Sequence, residues 1–553
     1  MKRHSQQGKT QVETMSAAAV TLTMFTLLFS FAMVPAQAQT PTVLYSFMNS
    51  SSDAPFPQGN IVQDRDGNMY GVGGRPNAAA VYKISPAGVE SIFFNFPTSW
   101  ADCNLGGLTL GSDGNFYGVC TVGNPATQQG SIYRLTPAGV FTDLHDFPAS
   151  GNYPVLPPIQ ASDGNFYGVL NYGGNGSVYK MTPAGVVTTI HTFVSPDVQP
   201  ISGLFQASDG NFYATITLCG LTGNRGCVYK LTTGGTYKNI YGFADPTGSG
   251  ACAGVIQGKD GKLYGASSFG GANGNGTLYN LTTAGVHTVL HDFNSVTDGG
   301  CGGVSNLFTV PSLLQVNDGT FYGANNGGGS GNGGSIFKLT SANVFTPFLL
   351  SNAGGISPYT TPIQNTNGLV YGTTSSGGAN GVGNFFSVST GDAAFVNLEP
   401  TQKSGFVGAS VGMFGQGFSS ASVVKFGGVV ATTKTLSGTT YITAVVPAGA
   451  HTGTVMVTTG TTTLTSPQTY KVKPKILNFT PTSGHVAQLV TINGTGLIQT
   501  TGVKFGKVKA TTFTVVSDSQ VTAVVPTLPL GAVTIAITTP GGTANSPTKF
   551  TVN

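Results

Sequence analysis

Three histidines, His145, His191 and His291, occupy the same place in an I-H-T-F or L-H-D-F pattern. Three imidazoles brought together would make a metal site. These three recur on what reads as the outermost strand of three different repeats, so they cannot converge on one ion. Asp146 and Asp292 follow the same repeat logic. Asp64 and Asp66 in D-R-D-G-N lack the further ligands of an EF-hand loop. Neither H-E-x-x-H nor a P-loop occurs. Glycoside hydrolysis needs two carboxylates a few ångströms apart. Acids are scarce here, and only loops of different repeats meeting at an axis would bring such a pair together. The residues point to no catalytic group, no metal and no cofactor.

The elements that would carry any site are set by a repeat. D-G-x-x-Y-G or a near variant begins at Asp66, Asp113, Asp163, Asp209, Asp260, Asp318 and Asn367, at spacings of 47, 50, 46, 51, 58 and 49 residues. A period near fifty marks a propeller, solenoid or array. Within one copy, four short strands fit 107–111, 116–121, 131–136 and 140–147, each rich in aliphatic, aromatic or Thr residues. Asp113-Gly114 suits a tight hairpin, and Pro137-Ala138-Gly139 closes a second one. Four antiparallel strands per repeat predict a propeller blade. The fourth-strand pattern occurs seven times, but its first copy, Thr42–Phe47, precedes the first complete repeat, and the last repeat lacks its own. Thr42–Phe47 is therefore predicted to pair with the last blade and close the ring.

The front of the chain reads as a leader. Lys2, Arg3 and Lys9 precede an apolar run from Ala17 to Val34, and Ala36-Gln37-Ala38 is an A-x-A cleavage site. Residues 1–38 are predicted to be removed, leaving no membrane span. Charged residues make up 8% of the chain and the net charge is +4, with no basic stripe of the kind that binds nucleic acid. The six cysteines all lie within the repeats, which favours three disulfides in an oxidising compartment. Strand order predicts Cys103–Cys120, Cys219–Cys227 and Cys252–Cys301.

A composition break near Ala394 opens a second region. Residues 394–472 and 473–553 repeat one plan of short alternating strands, as expected of immunoglobulin-like sandwiches. The motifs are Pro481-Thr482 with Gly484, Gly415 and Gly417 with Phe418, Gly494 and Gly496 with Leu497, V-K-F-G, and the late Val445 to Pro447 and Val524 to Pro526. On these, both segments resemble IPT/TIG domains, although the first opens with Pro400-Thr401-Gln402-Lys403. The repeats resemble the bacterial GloVer-type tandem repeats through the D-G-x-x-Y-G step and Val81-Tyr82-Lys83-Ile84, Val178-Tyr179-Lys180-Met181 and Ile336-Phe337-Lys338-Leu339. That resemblance implies an exported or surface-attached chain and transfers no functional residues.

The expected protein is all-β: a seven-bladed β-propeller over 39–393, then two IPT/TIG sandwiches. Its expected role is a secreted or cell-surface binding protein, extracellular or periplasmic and monomeric. Its partner would be a polysaccharide or a surface protein, not nucleic acid. The alternative is an extracellular carbohydrate-active lyase or glycosidase on the same scaffold. The Asp-Gly and Pro-Ala-Gly turns are short and alike, whereas the loops at the opposite ends of the strands vary. Function tends to sit on variable loops held by a rigid scaffold. Those loops carry the single tryptophan, Trp100, with Phe56, Tyr153 and Tyr359. These four aromatics are the expected ligand contacts.

Overall fold

The computed structural model describes residues 40–553 apart from 51, 76–77, 99, 101–102, 104–105, 122–129, 149–152, 155, 173–174, 222–224, 245–247, 252–253, 301–312 and 330. The leader and the pair Cys252–Cys301 lie outside the described residues. Every regular element among the described residues is a strand. No helix there is long and apolar enough to cross a membrane.

Seven small antiparallel sheets follow one another, one per repeat. The second runs Leu108–Leu110, Phe116–Cys120, Ser131–Leu135 and Phe141–Asp146, in that order across the sheet. Its two middle strands are almost wholly buried, while the outer one is half-buried. The middle strands need apolar side chains on both faces because a neighbouring sheet packs on each. Tyr133 and Leu135 share a core cluster with Tyr70 and Val72 of the first sheet. Tyr117 and Ile132 point the other way, into a cluster with Phe166 and Tyr179 of the third. Clusters of this kind join each sheet to the next. A seventh joins the last sheet to the first, through Tyr371 and Phe385 against Ile61, Met69 and Tyr82. Thr42–Ser46 pairs antiparallel with Asn384–Val388 of the seventh sheet, as the missing fourth strand required.

The repeated motif is explained by its turn. Asp113 Oδ1 accepts the Asn115 N–H at 3.1 Å, Oδ2 accepts the Tyr117 hydroxyl at 2.8 Å, and Gly114 takes φ +83°. Asp66, Asp163, Asp209 and Asp260 repeat both bonds. The glycine after the tyrosine is a matter of space. Gly118 lies opposite Tyr133, and a Cβ there would meet the phenol oxygen.

A second periodic device spans the sheets. Gln206 Oε1 accepts the Ser162 N–H of the preceding turn at 2.8 Å, while its Nε2 donates to Gly210 O of its own turn at 3.0 Å. Gln160, Gln257 and Gln315 do the same. Gln63 takes the Thr366 N–H of the seventh sheet at 3.2 Å. Between the sixth and seventh sheets Asp392 stands between the Asn317 N–H and the Gln364 amide. The second sheet has Leu110 in place of the glutamine, and there Arg65 Nη2 donates to Ser112 O at 2.9 Å instead.

After Ala394 come two sandwiches with the same strand order. One sheet of the second holds Lys475–Thr480, Leu489–Thr495, Gln520–Val524 and Phe513–Ser517. The other holds Ser483–Gly484, Gly542–Val552, Gly531–Thr539, Gly502–Phe505 and Val508–Lys509. Each sandwich closes over its own apolar core. Cys103–Cys120 and Cys219–Cys227 are bonded.

Candidate functional site

Each repeat sheet has two ends. At the turn end, the first sandwich docks onto the first and seventh sheets. Arg65 donates to Glu399 Oε1 at 2.9 Å, and its guanidinium lies 4.7 Å from the centre of the Tyr441 ring. The Tyr441 hydroxyl donates to the same carboxylate at 2.9 Å. Burial pushes the Glu399 pKa up, against the pull of Arg65. Thr440 Oγ1 donates to Arg65 O at 2.6 Å, and Gln416 Nε2 donates to Thr366 Oγ1 at 2.8 Å. The docked sandwich thus sits where the glutamine series is broken. Sequence reading missed this contact because nothing local marks Arg65 as different from its neighbours.

Along the inner strands lies a cavity of about 230 Å³. It is lined by the segments leading into the first strands of several sheets, among them Asn60, Leu156, Ser202, Phe205, Val255 and Tyr359. The lining runs along the inner strands: Leu156 and Ser202 precede them, whereas Ile159 and Phe205 stand beside Gln160 and Gln206, which bond the Asp-Gly turns. Asn60 Nδ2 donates to Leu108 O at 2.9 Å, and its Oδ1 is enclosed without a donor among the described residues. Ser202 Oγ accepts the Thr215 N–H at 3.0 Å. The described lining holds no carboxylate, imidazole or thiol.

The four expected aromatics do not come together. Tyr359 lines the cavity. Tyr153 is half-buried in a two-residue strand paired with Tyr172 and Leu170. Phe56 is half-buried against the cluster that joins the last and first sheets. Trp100 is only 9% exposed and packs edge-on to Phe141, with ring centres 5.0 Å apart. Its ring belongs to the core cluster between the first two sheets, not to an open face.

The histidines are packing groups. His191 stacks on Tyr237 of the next sheet at 4.6 Å, and His291 stacks on Phe345 at 3.7 Å. Phe94 holds the same place against Phe141. Burial lowers the pKa of His145 and His191. No group of three or more His, Cys, Asp or Glu able to hold a metal occurs among the described residues. Asp53 and Glu90 are close enough to interact. Asp53 accepts the Tyr45 hydroxyl at 2.7 Å, and Glu90 is raised to about 7 by burial and then by Asp53. Through Tyr45 these groups anchor the closing strand.

Fold and site together define an all-β repeat scaffold carrying β-sandwiches at its C-terminal end. The chain belongs to the Gloeobacter/Verrucomicrobia repeat family, whose model matches residues 27–175 and 154–312, together just over half of the sequence. The IPT/TIG domain model matches residues 474–552. No curated protein matches the chain. Among solved structures, SGBP-B from a xyloglucan utilization locus of Bacteroides uniformis is 23% identical over 28% of this chain, with a TM-score of 0.15. The surface glycan-binding protein PbSGBP-B of Prevotella bryantii is 17% identical over 30% of this chain, with a TM-score of 0.22. The chain spans 48% and 40% of the lengths of those two proteins. A fungal alcohol oxidase of the AA5 family is 12% identical over 90% of this chain and 98% of its own, with a TM-score of 0.41. TM-scores this low define no shared fold.

Proposed function

We propose that the chain is a secreted or cell-surface carbohydrate-binding protein. In this reading the seven sheets form a seven-bladed β-propeller. The cavity receives a neutral polysaccharide chain from the end away from the Asp-Gly turns, and two IPT/TIG sandwiches, 394–472 and 473–553, form a stalk on the turn end. The ring is supported by core clusters that run from each sheet to the next and from the last to the first, and by the pairing of Thr42–Ser46 with the seventh sheet. The first sandwich is read as IPT/TIG because its strand order repeats that of the matched one.

The observation that carries the proposal is a cavity lined by residues of six of the seven repeats. Arg65–Glu399 and Gln416–Thr366 cover the turns of the first and seventh sheets, so the ligand is taken to enter from the other end. Tyr359 offers a ring face to a sugar, and Asn60, Ser202 and Thr361 surround it with amide and hydroxyl groups. The absence of a carboxylate from the described lining favours recognition over cleavage. Tyr153 is assigned a contact at the rim, and Trp100 and Phe56 support the loops from beneath.

Affinity electrophoresis of the mature chain in xylan, glucomannan and mixed-linkage glucan tests this, with product release measured in parallel. Retention by at least one polymer without released sugar is expected, as is loss of that retention in Tyr359→Ala. Undiminished retention in Tyr359→Ala, with loss in a variant of the Asp-Gly turns, would mean that the wrong end was chosen.

A further inference from the structure

The modest net charge hides a strong asymmetry. Residues 39–393 hold eleven basic and seventeen acidic side chains, whereas residues 394–553 hold ten lysines and only two acids. Both acids are engaged. Glu399 pairs with Arg65, and Asp518 accepts the Gly449 N–H at 3.0 Å. Four of the lysines lie together on the second sandwich. Lys504 and Lys509 stand directly opposite each other on Gly502–Phe505 and Val508–Lys509, with Lys507 in the turn between them. Lys504 pairs with Ala536, and two positions along that strand Thr534 pairs with Lys549.

Opposed residues share a face of a sheet, and so do alternate residues of one strand, so Lys549, Lys504 and Lys509 form an oblique row across four strands, with Lys549 offset by two residues. Three strand spacings of about 4.8 Å and a two-residue offset of about 7 Å make the row roughly 16 Å long. The core side of the same strands is taken by Val503, Phe505, Ile535 and Ile537. All four lysines are exposed. We infer that this outer face of the second sandwich binds an acidic polysaccharide.

The fold does not require these charges. The first sandwich repeats the same pairings with Lys425, Val430 and Thr469 in place of Lys504, Lys509 and Lys549, and Gly428 in place of Lys507. At these four positions it therefore carries one lysine. Like charges placed directly opposite destabilise a sheet, which leaves Lys504 facing Lys509 unexplained by stability. Lysines on an edge strand discourage strand addition, but that accounts for Lys507 and Lys509 only. Lys504 and Lys549 lie on inner strands.

A polymer is favoured over a small anion because the row lies on an open face rather than in a pocket. The two disulfides mark an oxidising compartment, away from nucleic acid. Thr534 and Ala536, which lie between the lysines, offer none of the large apolar groups that enter a bilayer surface. Carboxylates spaced along a glycan suit lysine, a compact charge with three donors.

The test is affinity electrophoresis of the mature full chain in polygalacturonate, with neutral xylan, duplex DNA and phosphatidylglycerol vesicles as parallel probes. Two variants remove the same charge. One replaces Lys504, Lys507, Lys509 and Lys549 with Gln, and the other replaces Lys425, Lys471, Lys473 and Lys475 with Gln. The expected result is polygalacturonate binding that weakens with salt and falls roughly tenfold or more in the first variant but not in the second. Circular dichroism checks folding. If the first variant does not fold, Lys507→Gln with Lys549→Gln is read in the same way, with a smaller loss expected. Equal binding by both variants, equal loss in both, or no polygalacturonate binding would overturn the inference. Preferential retention of DNA or vesicles would also overturn it, as would a salt-sensitive dimer that the first variant abolishes.

Discussion

Replacing Asp64 with asparagine should change how the stability of the first repeat depends on pH. Asp64 is 5% exposed, and its Oδ1 is enclosed without a donor among the described residues. Burial, reinforced by Asp66, raises its pKa from 3.8 to about 6 against the pull of Arg65 and Lys83. The folded chain therefore keeps this proton to a higher pH than the unfolded chain does. Folding takes up a proton between those two values, so the contribution to stability is full below pH 3.8 and is lost as pH rises through about 6. A shift of this size is worth about 3 kcal/mol in full, of which about 2 kcal/mol falls between about pH 4.5 and about pH 7.5. His145, His191 and His287, lowered by burial, act in the opposite direction in the same window. The observable is therefore the difference between the two proteins. Urea unfolding followed by Trp100 fluorescence reads it locally, because the single tryptophan sits in the cluster joining the first two sheets. The wild type should lose about 2 kcal/mol relative to Asp64→Asn on going from the lower pH to the higher. Parallel pH profiles for the two proteins would refute the reasoning.

Other consequences follow from the same geometry. Deleting residues 39–47 removes the strand Thr42–Ser46 and exposes the edge Asn384–Val388; a lower melting temperature and association on size exclusion are expected, and an unchanged monodisperse protein would contradict ring closure. Gln206→Ala removes the bonds to Ser162 and Gly210, and urea unfolding should show a loss of about 1–2 kcal/mol; no loss would mean that solvent replaces the clasp. Non-reducing peptide mapping of exported protein should find Cys103–Cys120 and Cys219–Cys227, with Cys252–Cys301 as a third pair; free thiols at these positions, or other partners, would refute the pairing.

What was legible in the sequence was local. Asp113-Gly114 and Pro137-Ala138-Gly139 announce hairpins through backbone conformations open to few residues, so the strands of the second sheet fall within a residue or two of their expected bounds. The orphan strand at Thr42 was visible because each repeat needs a fourth strand and the last one lacks it. What was not legible depended on side chains meeting across repeats. The glutamine three residues before each turn recurs plainly at Gln160, Gln206, Gln257 and Gln315, but its partner lies in the preceding sheet. Arg65 meets Glu399 across more than three hundred residues. Trp100 looked like a surface anchor because it lies in an irregular segment, yet a large ring there finds more apolar surface against Phe96 and Phe141 than in water. The lysine row was countable in the sequence, but only the strand register puts Lys549 beside Lys504.

Hydrogen–deuterium exchange of the mature chain, with and without a fragment of the polysaccharide retained in the electrophoresis screen, tests the central claim most directly. Protection is expected at 156–159, 202–205, 254–256 and 359–361, the segments lining the cavity. The turns at Asp113, Asp163 and Asp209 should exchange as before. Protection confined to those turns, or none along the cavity segments, would contradict the assignment of the binding end.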